Sequence, residues 1–189
     1  MSDRVQVLRD LYVALADLWC SPQDVDWQEV TRGAGEAAQE WESIDGEGAA
    51  LLSRFLDSPV SEEEYVELFE LAPRCSLYLG SHSFDEPQSC AGAAVSDRNG
   101  YMIDLLGIYR HFGFTPSGGE LPDYLPLMLE FLSLSAGRED PIREKLIQEY
   151  ILPYLPPMRS RLEDLKTPYL NLLDALERVM RLDLQAVAR

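Results

Sequence analysis

The 189-residue sequence has few of the residues that carry metal, redox or nucleic-acid chemistry. It holds three cysteines, two histidines and only 16 lysines and arginines, against 33 aspartates and glutamates, which gives a formal charge of −17. A surface that binds nucleic acid or an anionic membrane needs clustered cations, so this balance argues strongly against both. It favours a cationic partner, or simply solubility.

The cysteines and histidines form none of the spacings of a metal site. Cys20, Cys75 and Cys90 are far apart in the sequence, and His82 and His111 do not pair on one helix face. The glycine pairs also lack the flanking strand and the Lys-Ser or Lys-Thr of a phosphate loop. We therefore expect no metal and no bound cofactor, and we expect free thiols in a reducing compartment.

Long hydrophobic runs are absent, because Asp, Glu, Arg or Gly interrupts the apolar residues throughout. Such a chain is not expected to span a bilayer. The start, Met1-Ser2-Asp3-Arg4, is not followed by the apolar run of a signal peptide. We therefore expect a cytoplasmic protein, and the length suits one domain over residues 1–189.

Strand patterns are lacking as well, and apolar residues instead recur at steps of three and four. One such face holds Tyr65, Leu68, Phe69 and Leu71. The spacing predicts a single all-α globular domain of about eight helices. The predicted helices cover about 5–19, 27–41, 49–56, 62–71, 97–112, 123–134 and 141–152, with a short one from 156 and a last one from about 168 to 180.

Capping residues mark several of the predicted helix starts. Ser61 and Glu64 form a capping box, and Asp140-Pro141 and Thr167-Pro168 each place a cap before a proline. Residues 74–95 indicate a long structured loop, and long loops in compact domains are often functional.

The segment ELPDYLPLMLEFL, Glu120–Leu132, stands out from the rest. Pro122 fixes the chain before a helix, and Asp123 is expected to cap the first N–H groups of that helix. Glu120 and Asp123 bring two carboxylates near one helix end, where Tyr124 adds a ring and a hydroxyl group. On the residues alone, a well-capped core helix explains this pattern better than a functional site does.

The same segment resembles the signature of the cytoplasmic maturation chaperones of molybdenum oxidoreductases, the TorD/DmsD/NarJ family. Glu120 and Asp123 match the family's E-x-x-D-H motif, with Tyr124 where histidine is common. The part LPLMLEFL is closest to the nitrate reductase delta-subunit (NarJ) type.

Two earlier blocks support this resemblance. Tyr65–Leu79 is similar to the family's Y-x-x-L-F…P…S-L-Y-L block, and Met102–Phe114 is similar to its central helix. The resemblance therefore covers roughly residues 65 to 134, in the family's order.

The resemblance implies a chaperone without enzyme activity. Such chaperones bind the N-terminal segment of an apo catalytic subunit, often a twin-arginine signal or its remnant, until the molybdopterin cofactor is in place. Proteins of cofactor biosynthesis are further expected partners. A groove for this segment needs apolar walls and carboxylates at one end. The residues that we expect to bind the peptide are Leu77, Tyr78, His82, Tyr109, Glu120, Pro122, Asp123, Tyr124 and Leu125.

The sequence leaves the client open, together with two other functions. Where the nitrate reductase type has a charged run, this chain has Ser83–Pro87 and Ser89–Gly92. A chaperone for a selenate, perchlorate, dimethyl sulfide or ethylbenzene enzyme fits equally well. A second hypothesis is an acidic helical adaptor with an unrelated partner. A third is an acid–base enzyme using Glu120 and Asp123, which requires a buried carboxylate with a raised pKa in a closed pocket.

Overall fold

Helices make up most of the chain in the computed structural model, which describes residues 2–58, 60–84, 96–116 and 119–187. No β-strand occurs in these ranges, and the all-α prediction is confirmed. The α-helices are α1 (Ser2–Leu18), α2 (Trp27–Glu42), α3 (Gly46–Leu56), α4 (Glu62–Phe69), α5 (Asp97–His111), α6 (Leu125–Leu134), α7 (Pro141–Lys145), α8 (Leu155–Leu165) and α9 (Tyr169–Val187).

Side-chain caps begin several of these helices. Ser61 Oγ accepts a hydrogen bond from the Glu64 N–H at 3.1 Å, and Asp140 Oδ1 accepts one from the Ile142 N–H at 2.8 Å. Both caps were predicted from the sequence. A cap satisfies backbone N–H groups that have no partner inside the helix, so these residues fix where each helix begins.

The end of α4 differs from the predicted one. The helix stops at Phe69, and the N–H groups of Glu70 and Leu71 both bond to the carbonyl of Val66. Ala72 then adopts a left-handed backbone with a φ of 52°. Because the chain leaves the helix here, Leu71 is 76% exposed, and its placement on the apolar face was wrong.

The segment from α7 to α8 stays helical across two changes of pitch. A π-helical turn (Leu146–Ile151) follows α7, and a 3₁₀ turn (Leu152–Tyr154) then leads into α8. Pro153 lacks a backbone N–H and cannot continue an α-helical ladder. The sequence analysis predicted that the helix ends at about Leu152, before this proline, but the chain instead continues through the 3₁₀ turn into α8.

One hydrophobic core joins the helices. Helix α1 packs against α2 and α6, and α9 packs against α3 and α8. An aromatic cluster lies inside, where the Tyr169 ring is 5.2 Å from Trp19 and 4.7 Å from Phe69. These rings bury large apolar areas and bring α1, α4 and α9 together.

A buried polar network crosses the same core. The Arg143 guanidinium donates to both carboxylate oxygens of Asp183, at 3.0 and 2.7 Å, and Tyr12 Oη donates to the same carboxylate at 2.8 Å. Arg143 also donates to Ser135 Oγ and to the Leu132 carbonyl. The network therefore ties α1, α7 and α9 to the end of α6.

Cys20 and Cys75 are free thiols, as predicted, and Cys90 lies outside the described residues. Burial raises the pKa of the Cys20 thiol to about 11 and that of Cys75 to about 12. Both groups are therefore neutral, weakly reactive thiols in the folded protein.

Candidate functional site

Two loops that are distant in the sequence lie side by side. Tyr78 and Tyr124 face each other in an isolated antiparallel bridge. The Leu79 N–H donates to the Asp123 carbonyl at 3.0 Å, and the Leu125 N–H donates to the Leu77 carbonyl at 2.9 Å. The two sequence blocks that carried the candidate residues therefore meet at one place, where a 3₁₀ turn (Leu79–His82) approaches the start of α6.

Asp123 lies at the centre of this meeting point and is fully buried. Its Oδ2 accepts a hydrogen bond from the Gly80 N–H at 3.0 Å and is 3.9 Å from the Arg98 guanidinium. Within the described part of the chain, Oδ1 has no hydrogen-bond partner. Burial raises the pKa of this carboxyl, and the Gly80 bond and Arg98 only partly offset the shift.

The prediction that Asp123 caps helix α6 is wrong. Tyr124 is the N-cap residue and makes no side-chain cap bond. The Asp123 carboxylate instead binds the backbone 43 residues earlier in the chain. The long-range contact replaces the local one because the Gly80 N–H is buried and needs an acceptor.

Four of the other candidate residues form the floor beneath the two loops. Leu77, Tyr109, Pro122 and Leu125 are all buried. Tyr109 Oη donates to the Pro122 carbonyl at 2.8 Å and so satisfies a buried acceptor in the loop before α6. These side chains position the surface residues from behind, and in this conformation they do not form an open wall.

Three of the remaining candidates and their neighbour Leu121 form a partly exposed surface, which we call the tyrosine face: Tyr78, Glu120, Leu121 and Tyr124. Tyr78 Oη donates to a carboxylate oxygen of Glu120 at 2.6 Å, and its ring lies 5.3 Å from that of Tyr124. Desolvation, then the hydrogen bond to Glu120, raises the pKa of Tyr78 to about 12, so its hydroxyl stays a donor.

Leu121 was not among the residues predicted from the sequence, and it joins this face through its carbonyl, which accepts a hydrogen bond from the Tyr124 N–H at 3.0 Å. Its side chain is 46% exposed beside Glu120. The sequence contained one sign of this exposure: Leu121 is a large apolar residue in a turn with Gly, Glu and Pro. A residue in such a turn has no helix face on which to be buried.

His82 lies at the other end of the 3₁₀ turn and is half-buried. Its Nε2 is 2.7 Å from the Ser76 carbonyl, which can only accept, so Nε2 carries the hydrogen. Burial lowers the pKa of this imidazole below its ordinary value of 6.5. His82 is therefore a neutral group that holds the loop before the tyrosine face.

The acid–base arrangement is only partly present. Asp123 has the raised pKa that such an enzyme needs, but its carboxylate has no exposed surface, whereas Glu120 is exposed. A reacting group must reach its substrate within hydrogen-bond distance. The two carboxylates thus lie in opposite environments, one inside the core and one at the surface.

Comparison with known proteins places the chain in a family. The family model for the nitrate reductase delta subunit matches residues 38–175, a range that contains all nine candidate residues. The chain belongs to the nitrate reductase delta subunit family. The resemblance seen in the three sequence blocks is confirmed.

Named relatives of this delta subunit family are assembly chaperones. The chain is 34% identical over 123 residues to the probable nitrate reductase molybdenum cofactor assembly chaperone NarW of Escherichia coli K12, covering 64% of the chain and 48% of the relative. It is 32% identical over 114 residues to the probable chaperone NarJ of Bacillus subtilis, covering 60% and 55%. It is 31% identical over 123 residues to NarJ of E. coli K12, covering 64% and 46%.

The chain thus spans about half the length of the curated relatives that it matches. The expectation of a chaperone instead of an enzyme agrees with the names of these delta-subunit relatives. Among the residues with assigned structure, none of the helices is both long enough and apolar enough to cross a membrane.

Proposed function

We propose that this protein is a cytoplasmic assembly chaperone for the catalytic subunit of a nitrate-reductase-type molybdenum enzyme. It binds the basic N-terminal segment of the apo subunit, a twin-arginine signal or its relic, until the molybdenum cofactor is inserted. Membership of the delta subunit family over residues 38–175 is the observation that carries this proposal. The chemistry of the tyrosine face supports the binding step.

An arginine of the client would pair with Glu120. The carboxylate is exposed, and Tyr78 Oη occupies one of its oxygens at 2.6 Å, which fixes its orientation. Its other oxygen has no partner among the residues that the structure describes and can accept from a guanidinium. Charge-assisted bonds of this kind are stronger than neutral ones. The rings of Tyr78 and Tyr124 add a surface on which a guanidinium stacks.

The apolar part of the client segment would lie against Leu121 and Tyr124. Leu121 is 46% exposed and Tyr124 is partly exposed, so both offer apolar area that a bound peptide covers. Asp123, Tyr109 and His82 hold the two loops together and act as positioning residues. The formal charge of −17 attracts a cationic segment at long range and raises its association rate.

Calorimetry tests this function directly. If the neighbouring reading frames encode a molybdenum subunit, the ligand is a peptide that copies roughly the first 25 residues of that subunit. We expect binding that Glu120→Gln weakens roughly two- to fivefold, in line with exposed ion pairs. Tyr124→Ala should weaken it further. The matched control is Glu139→Gln, which removes the same charge from an exposed position elsewhere.

The peptide itself provides a second control. Replacing its two arginines with glutamines should remove the difference between the wild type and Glu120→Gln, because that difference depends on the charge pair. A neighbourhood without a molybdenum subunit, together with no heat from any such peptide, would favour the acidic adaptor hypothesis instead. Heat that Glu120→Gln and Tyr124→Ala both leave unchanged would place the peptide away from the tyrosine face.

A further inference from the structure

A second concave surface lies between α1 and α2. It is a groove of about 630 Å³, within the range of roughly 300–1,000 Å³ that ligand sites occupy. Its α1 side carries Asp10, Val13 and Asp17, which recur at steps of three and four and so share one helix stripe. None of these residues belongs to the tyrosine face. All the lining residues except Glu40 also precede the 38–175 family match.

Small residues on α2 keep the groove open. Gly33, Ala34 and Ala37 line its floor. A Cβ built on Gly33 would meet no atom within 4 Å, so the space above this glycine is empty. Val13, which is 45% exposed, supplies apolar surface on the opposite side. The groove thus has an apolar floor that no part of the described chain covers.

The rim of the groove is strongly acidic. Six carboxylates line it, against a single guanidinium, that of Arg32. Arg32 is already paired, at 2.8 Å with Glu36 and 3.8 Å with Glu29. For Asp17 and Glu40, no ion-pair partner lies within 4 Å among the residues that the structure describes.

Asp17 is the lining residue whose ionised form is disfavoured by its surroundings. The side chain is half-buried, and burial together with repulsion from Glu130 raises the pKa of its carboxyl. A cation beside Asp17 would stabilise its ionised carboxylate. Six carboxylates around one already paired guanidinium give the groove a charge that is complementary to a cationic partner.

We propose that the α1–α2 groove is a docking surface for a cationic amphipathic helix of a partner protein. The apolar face of that helix would lie on Val13, Gly33 and Ala37, and its lysines or arginines would pair with the acidic rim. A groove between two helices suits a third helix, whose side chains at steps of three and four reach both walls. The proposal does not depend on the function of the tyrosine face.

Filling the groove sterically tests the proposal. The probe is a fluorescent 18-residue helical peptide of leucine and lysine patterned at 3.6 residues per turn. We expect Gly33→Leu to weaken its binding at least tenfold. The matched control is Gly35→Leu on the same helix, where a Cβ also meets nothing within 4 Å but which does not line the groove. It should bind as the wild type does, and both variants should keep the wild-type circular dichroism.

A second test removes negative charge from the groove. Asp17→Asn with Glu40→Gln should weaken binding at least threefold and reduce its salt dependence, whereas Glu70→Gln with Glu139→Gln should not. Equal affinity for wild type and Gly33→Leu would overturn the proposal. Equal losses of affinity in the two double variants would also overturn it, because they would show only the attraction of a protein of charge −17 for any cation.

Discussion

The Asp123 carboxylate accepts a hydrogen bond from the backbone N–H of Gly80 at 3.0 Å, across 43 residues of sequence. The contact is close enough to dictate the residue at position 80. A Cβ built on Gly80 would lie 2.8 Å from Asp123 Oδ2 and 3.4 Å from the rings of Phe84 and Tyr101. The bond and the missing side chain together join the two loops beneath the tyrosine face.

Gly80→Ala should therefore destabilise the protein. The added methyl group must displace a buried carboxylate and two rings, and overpacking of this kind costs about 1–3 kcal/mol. Urea denaturation measures the change. Gly107→Ala within α5 is the control, because a Cβ there meets no atom within 4 Å, and it should stabilise by about 0.5–1 kcal/mol. Equal stability of the two variants would contradict the close contact.

The contribution of Asp123 to the free energy of unfolding should increase as the pH falls. Because the folded state raises its pKa above 3.8, the folded protein takes up this proton while the unfolded chain is still ionised. The group's contribution to stability therefore grows as the pH drops through the raised pKa. The free energy of unfolding of wild type minus that of Asp123→Asn should increase from pH 7 to pH 4. The exposed Asp164→Asn is the control, and a flat difference for Asp123→Asn would refute the shift.

Asp183→Asn should be among the most destabilising conservative substitutions in the chain. It leaves the buried Arg143 guanidinium without a counter-charge, and breaking a buried pair in this way costs about 3–5 kcal/mol. Asp174→Asn breaks the Arg159–Asp174 pair at the surface and should cost at most about 1 kcal/mol. Thermal or urea unfolding distinguishes the two, and similar losses would argue against the buried network.

Cys20 and Cys75 should react slowly with Ellman's reagent in the native protein. With a pKa of about 11, at most about one Cys20 thiol in a thousand is a thiolate at pH 8, and Cys75 is 1% exposed. A Cys90→Ser background isolates these two thiols. We expect two thiols to react rapidly in urea and slowly without it, and fast native labelling of both would contradict their burial.

The sequence predicted the features that depend on residues close together in the chain, namely the positions of the helices and several of their caps. Apolar spacing located the helices, and Ser61 and Asp140 marked helix starts because a cap bonds to N–H groups two or three residues away. Leu71 fitted the same spacing and was nevertheless misplaced. A three- or four-residue period continues past a helix end whenever the next apolar residue falls in step, so the pattern alone does not locate the end.

The structure brings the candidate residues of the two loops together, but the local geometry predicted for Asp123 is wrong. The blocks around Tyr78 and Tyr124 were identified, but their pairing depends on hydrogen bonds between loops that carry no strand pattern. Asp123 before a helix has the composition of a cap, and only the folded chain brings Gly80 to it. Arg143 and Asp183, on helices that also carry exposed charges, gave no sign in the sequence that they form a buried pair.

The network of Tyr12, Arg143 and Asp183 also affects how the protein is made. Tyr12 and Asp183 are 171 residues apart, so the ribosome releases the hydroxyl group long before the carboxylate that accepts its bond. Before Asp183 is synthesised, the Arg143 guanidinium lacks the carboxylate that neutralises its charge in the core. The core can therefore close around this network only after α9 has been synthesised.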